Sequence, residues 1–185
     1  MRGVPLREVT SGPVTVRCWQ PTDAALLHEA VLDSIDHLRP WMPWARSEPL
    51  DLDDRRALIS EWIRRWDAGE EHSCAIVVDS ELVGACGLHR RIAPDGLEIG
   101  YRVRTGRTGA GVATEAVRAL IHLAFSLDGI SHVEIHHDAA NIASRRVPEK
   151  VGFTLVEERP DDVEAPGEVG IEAVWRLTRP AEHPR

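Results

Sequence analysis

The stretch Arg102–Phe125, "RVRTGRTGAGVATEAVRALIHLAF", decides how this chain of 185 residues folds. From Thr114 onward Ala116, Val117, Leu120, Ile121, Ala124 and Leu127 recur at helical spacing, with Glu115, Arg118 and His122 on the opposite side. That pattern predicts an amphipathic helix packed on a sheet. Directly before it stand Gly106, Gly109 and Gly111, among Arg102, Arg104 and Arg107. The first N–H groups of a helix lack intrahelical partners, and the aligned peptide dipoles add partial positive charge, so an anion is drawn to that end. Glycine lets the anion come close and permits φ > 0. Glycine-rich turns before helices are common, yet this one also gathers cations, and a phosphorylated ligand is expected. No Gly-Lys-Ser/Thr follows, and the spacing is not that of a dinucleotide GxGxxG turn, so both of those motifs are excluded.

Working outward from that helix, "GLEIGYRV", "ELVGACGLH" and "SCAIVV" read as antiparallel strands separated by turns at Asp79-Ser80 and Pro94-Asp95-Gly96. Further upstream, "VTVRCW" is a strand and "PTDAALLHEAVLDSIDHL" a helix, with Ala24, Leu27, Val31 and Ile35 on one face. "RPWMPWARSEP" is a loop, after which Leu52, Ile59, Trp62, Ile63 and Trp66 mark another helix that ends at Gly69. Downstream, "SHVEIHH" is a strand and "NIASRRVPEKVG" a short helix closed by Gly152. "FTLVEER" and "VGIEAVWRL" are strands on either side of an acidic loop at 160–168. Clustered strands followed by strand–helix alternation predict an α/β (α+β) fold. Its mixed, mostly antiparallel sheet has about seven strands flanked by about four helices.

Composition narrows the function. An apolar share of 43% is enough for one domain over 1–185, with its core at about 14–178. A net charge of -8 opposes nucleic acid and suits a cationic partner such as an amine. Cys18, Cys74 and Cys86 lie in apolar strands without CxxC spacing, which predicts buried thiols rather than a disulfide scaffold or metal site. His132 and His136 share a strand face, but four residues of strand separate them by roughly 13 Å, so no metal is expected there. The N-terminus lacks an apolar h-region, and nowhere do eighteen uncharged apolar residues run together. A cytoplasmic protein with no membrane association is the expectation.

"TGAGVATEA" after "EIGYRV", then "NIASRRVPEKVGF", all preceded by "HLRPWMPW", resembles the core of the GNAT acyltransferase superfamily. The resemblance is to its ribosomal-protein N-terminal acetyltransferase (RimJ/RimL-type) branch and covers roughly residues 14–178. In the family motif Gln/Arg-x-x-Gly-x-Gly/Ala the matching positions are Thr108, Gly111 and Ala113. Thr108 departs from the usual Gln or Arg, and Ala110 stands where a basic residue is common. The resemblance implies acetyl-CoA as co-substrate, no metal, and a sheet split between "GLEIGYRV" and "SHVEIHH". The pyrophosphate would rest on main-chain amides of Gly109, Ala110, Gly111, Val112, Ala113 and Thr114, with Arg104 and its neighbouring arginines as helpers. Val103 would pair with the pantetheine and offer its N–H to the thioester oxygen, and Asn141 would bond the pantetheine amide. Arg146, with Arg145 and Lys150, would meet the nucleotide phosphate or face water.

An ammonium must lose a proton before it attacks, and a departing thiolate benefits from a donor. Glu98 is the candidate base. Strand alternation puts Glu98, Gly100 and Arg102 on one face and Leu97, Ile99, Tyr101 and Val103 on the other. The competing role for Glu98 is an ion pair with Arg102. Ser144, at the family position in "NxxS", is the candidate acid, while Asn141 and Ser144 also suit a helix cap. Trp41, Met42 and Trp44, fixed by Pro40 and Pro43, would wall the amine entrance or serve as core anchors. The expected activity is N-acetylation of a protein α-amine or a small amine by direct attack in a ternary complex. The alternative is a CoA-binding regulatory module without turnover. The last strand, "IEAVWRL", either joins a partner sheet in the homodimer we expect or pairs within the subunit.

Overall fold

The structure, a computed structural model, is described over residues 6–181; both ends of the expected domain, 1–5 and 182–185, lie outside the described residues. Eight strands form one sheet: β1 (Glu8–Ser11), β2 (Val14–Cys18), β3 (His72–Val78), β4 (Glu81–His89), β5 (Gly96–Val103), β6 (His132–Asp138), β7 (Thr154–Pro160) and β8 (Ile171–Thr178). Their order is β1-β2-β3-β4-β5-β6-β8-β7, and only β5 and β6 are parallel. Helices α1 (Ala24–Leu32), α2 (Ile35–Leu38) and α3 (Leu52–Asp67) precede β3; α4 (Val112–Ser126) and α5 (Ile142–Val151) flank β6. The mixed, mostly antiparallel architecture is the expected one, with two additions.

The eighth strand is β1, which turns into β2 at Gly12 (φ 52). Its sequence, EVTS, has one apolar residue and an exposed face, so it carries no hydrophobic alternation to read. The extra helix arises because the predicted first helix breaks at Ser34, which is 1% exposed. Its Oγ accepts a hydrogen bond from Thr105 N (3.0 Å), tying the break to the turn before α4.

Each sheet face has its own core. Ala116, Leu120 and Leu123 of α4 pack on Leu97, Ile99, Val133 and Ile135, while α1 and α3 bury Leu27, Val31 and Ile59 against Trp19, Ala75 and Ala85. Cys18, Cys74 and Cys86 are neighbours across β2, β3 and β4, buried and unbridged as expected. The β3–β4 hairpin turns at Asp79 (φ 49) and Ser80 (φ 65), the left-handed pair that matches strand twist.

The feature that positions a site is the gap in the sheet. β5 pairs with β6 only over Gly96–Glu98 against His132–Glu134. Beyond that point β5 stays with β4 as far as Val103, and β6 stays with β8 as far as Asp138. The two halves of the sheet diverge from Glu98 outward. β8 is bonded on both sides, to β6 and β7, so of the two roles open to the last strand it takes pairing within the subunit and has no free edge to offer a partner.

Candidate active site

The turn before α4 presents main-chain donors and little else. Gly111 caps the helix in the left-handed conformation (φ 81, ψ 0), without a capping side chain. The first helical bond is Glu115 N–H to Gly111 O (3.1 Å), so the N–H groups of Val112, Ala113 and Thr114 lie ahead of it. Gly109 is also left-handed (φ 77). Two of the arginines expected as helpers are engaged within the chain. The Arg104 guanidinium bonds Asp33 and Glu81, and that of Arg107 bonds Glu81, so their charge pins the turn to α1 and β4. Thr108 is occupied as well, its Oγ1 donating to Thr105 O (2.9 Å). An anion here meets backbone amides, including the exposed turn at Ala110, and the dipole of α4.

The edge of β5 facing the gap is open. Arg104 N–H bonds Val83 O on β4 (2.7 Å), so by alternation the Val103 N–H points the other way, into the gap. Across it stands the start of α5, where the Asn141 side chain accepts from Ser144 N (3.1 Å). This is the predicted cap, and it leaves the Asn141 amide NH2 for another acceptor. Tyr101 reaches over from β5: its hydroxyl lies 3.0 Å from both Ser144 Oγ and Ser144 O. Burial pushes the Tyr101 phenol up to about 12, against the opposing effect of Ser144. Arg145 is held by Glu149 (3.0 Å), whereas Arg146 is exposed and has no ion pair among the described residues.

On the α1/α3 side the gap opens into a cleft of about 800 Å³. Trp41, Met42 and Trp44 line it, as does the 161–168 loop. The two loops are joined by a hydrogen bond from Gly167 N to Pro40 O (2.8 Å). A cross-strand row runs His89 on β4, Glu98 on β5, Glu134 on β6 and Arg176 on β8, each residue in register with the next, and its first two members line the cleft. Glu98 sits at the apex of the gap, 18% exposed at its side chain, with Arg91 at 3.7 Å. It does not pair with Arg102, whose guanidinium lies 4.7 Å from the Trp44 ring centre. Burial and the charge of Arg55 lower Arg102 to about 10. Burial works against the charge of Glu134, but hydrogen bonds from His136 (2.7 Å) and Arg176 hold its carboxyl below the ordinary range. At the mouth, Asp161, Asp162 and Glu164 have no ion pair among the described residues, nor do those residues include a group able to hold a metal.

Three contacts were not foreseen: Tyr101 with Ser144, His89 with Glu71, and the buried pair of Arg55 with Glu48. Tyr101 was readable only as a residue on the face opposite Glu98; its partner lies 43 residues away.

Comparison with known proteins agrees with this geometry. The model of the acetyltransferase (GNAT) domain matches residues 14–154. The putative ribosomal N-acetyltransferase YdaF of Bacillus subtilis (strain 168) is 30% identical over 141 residues, 76% of this chain and 77% of its own length. Mycobacterium smegmatis RimJ, solved in complex with CoA-disulfide, superposes with a TM-score of 0.77 at 27% identity, covering 96% of this chain and 86% of its own. RimL, a ribosomal L7/L12 α-N-protein acetyltransferase solved with coenzyme A, shares the fold with a TM-score of 0.83 at 20% identity, over 92% and 97% of the two chains.

Proposed function

The chain belongs to the acetyltransferase (GNAT) family and is an N-acetyltransferase that uses acetyl-CoA; we propose that its acceptor is a cationic primary amine which attacks the thioester directly. A protein N-terminus, as in the names of its relatives, and a small amine are the two acceptor classes. The same reading puts the protein in the cytoplasm; no helix among the described residues is long and apolar enough to cross a membrane. The observation that carries it is a gap with a donor-rich helix terminus on one side, an acidic cleft on the other, and Glu98 at its apex.

In this reading the pyrophosphate rests on amides from Gly109 to Thr114, and the pantetheine runs along the open edge of β5 toward Asn141. The acceptor enters past Trp41, Met42 and Trp44, drawn by Asp161, Asp162 and Glu164. Glu98 takes the ammonium proton, and the freed amine attacks the thioester carbon. The Val103 N–H meets the developing oxyanion, an interaction worth about 3 kcal/mol. Collapse expels the CoA thiolate toward Ser144, and the second proton of the attacking nitrogen passes to the sulfur or to water as the neutral amide forms. A thiol titrates at about 8.5, well below the Tyr101 phenol at about 12. Ser144 and Tyr101 therefore act as a hydrogen-bonded pair that stabilises the leaving sulfur, without full proton delivery.

The acceptor is tested by incubating the protein with acetyl-CoA and a panel of N-terminal peptides and small amines while following free thiol. Turnover with at least one amine is expected; silence across the panel with coenzyme bound would overturn the reading. Glu98→Gln should lower kcat/KM for the amine by about 10²-fold, with coenzyme affinity by calorimetry within about twofold. An unchanged rate removes Glu98 from the mechanism. Ser144→Ala and Tyr101→Phe should each slow turnover by about tenfold, at the lower end for proton-transfer groups. Their double variant should be no slower than the worse single one, because they form one chain. Fully additive losses would separate their roles.

A further inference from the structure

His89 stands beside Glu98 on the cleft floor, one strand over and in register, on a face where such neighbours have Cβ atoms about 5 Å apart. Its Nδ1 is bonded to the carboxylate of Glu71, which also accepts from Arg65 (2.9 Å). Both contacts hold Glu71 down at about 2, the histidine bond foremost, despite partial burial. The ring lies against two glycines. A Cβ on Gly100 would come within 3.1 Å of Nε2, and one on Gly87 within 3.3 Å. Nε2 has no hydrogen-bond partner among the described residues, and the histidine lines the cleft.

We propose that His89, oriented by Glu71, is the proton acceptor behind Glu98 in the deprotonation of the amine. This rests on the acetyl-transfer reading above. With Nδ1–H donated to Glu71, the neutral imidazole carries its lone pair on Nε2, facing the cleft. An N–H bond of the ammonium breaks as an O–H bond forms on Glu98. That O–H then breaks as the proton passes through a bridging water and Nε2–H forms, leaving an imidazolium paired with the Glu71 carboxylate and a neutral amine with a free electron pair. No electrons are exchanged with any other group. The arrangement has the orienting logic of a carboxylate–histidine pair. It supplies a second proton acceptor, held in place, that a carboxylate alone does not provide.

Every charge facing the ring bears on this relay. They are Glu71 before β3, Arg65 and Glu61 of α3 behind it, Glu98 and Arg102 of β5, and Arg91 just after β4. Arg65 is neutralised by Glu61 and Glu71, which leaves Glu71 as the anion in contact with His89.

The test is the pH profile of amine kcat/KM for the unaltered protein, His89→Gln and Glu71→Gln, with KM for acetyl-CoA measured alongside. The relay predicts a deficit of about 10²-fold for His89→Gln near neutral pH. The deficit should shrink as pH rises toward that of the free amine, which no longer needs a base. Glu71→Gln should show a smaller deficit of the same shape, and KM for acetyl-CoA should hold in both. A deficit of equal size at every pH, or none, overturns the relay while leaving acetylation intact. No turnover by the unaltered protein overturns the acetylation reading itself.

Discussion

Arg55→Met should destabilise the protein by about 3–5 kcal/mol, because it leaves a carboxylate buried without its partner. Arg55 is 1% exposed, and its Nη2 lies 2.9 and 2.8 Å from the two oxygens of Glu48, whose side chain is 2% exposed. Glu48 also accepts from Leu50 N (2.9 Å), so the pair fastens the loop carrying Trp41 and Trp44 to the first turn of α3. The loss should appear as a lower urea midpoint with unchanged slope. In the folded fraction, KM for the amine should rise while coenzyme affinity holds, since the turn before α4 lies outside this contact. Changing both partners to leucine should recover much of the stability, as buried ion pairs often exchange for apolar packing at little cost. A single-variant loss below 1 kcal/mol would mean that Glu48 reaches water or another cation.

Gly84→Ala should damage stability and chemistry together. A Cβ at this position would lie 2.3 Å from the Arg102 carbonyl oxygen and 3.2 Å from Val103 Cα, both backbone atoms that cannot swing aside. Relief requires β4 and β5 to part where the Val103 N–H faces the gap. Overpacking of this kind costs about 1–3 kcal/mol. Displacing an oxyanion donor costs about 10²–10³ in kcat. Gly106→Ala is the control, because a Cβ there meets nothing within 4 Å and its φ is ordinary; near-normal stability and rate are expected. Thermal unfolding and steady-state rates of the two variants decide the matter. If Gly84→Ala loses stability but keeps kcat, the Val103 N–H is not the oxyanion donor.

Much of the site was legible because it depends on periods of two and 3.6. Alternation along "GLEIGYRV" assigned Glu98 and Arg102 to the face now seen as the cleft floor, and Tyr101 and Val103 to the α4 side. The Asp79-Ser80 and Gly152 turns were legible because their backbone conformations favour few residue types. The role of the arginines before α4 was not. Three positive charges at a helix mouth suggested anion contact, yet Arg104 finds Asp33 at a separation of 71 residues, and Arg102 lies against Trp44. His89 drew no notice because its strand offered no partner; Glu71, which gives its ring a direction, sits 18 residues earlier on the far side of a hairpin.

The order of the strands from β2 onward and of the longer helices, the glycine entrance to α4 and the face on which each β5 side chain falls were determined by the sequence alone. Each follows from neighbours a few residues apart along the chain. Only the tertiary structure decided that β8 inserts between β6 and β7, that β5 and β6 part at Glu98, and which carboxylate meets which cation. Those outcomes depend on which strands lie side by side. A charge has no preferred partner until packing brings one within a few ångströms and removes the water between them.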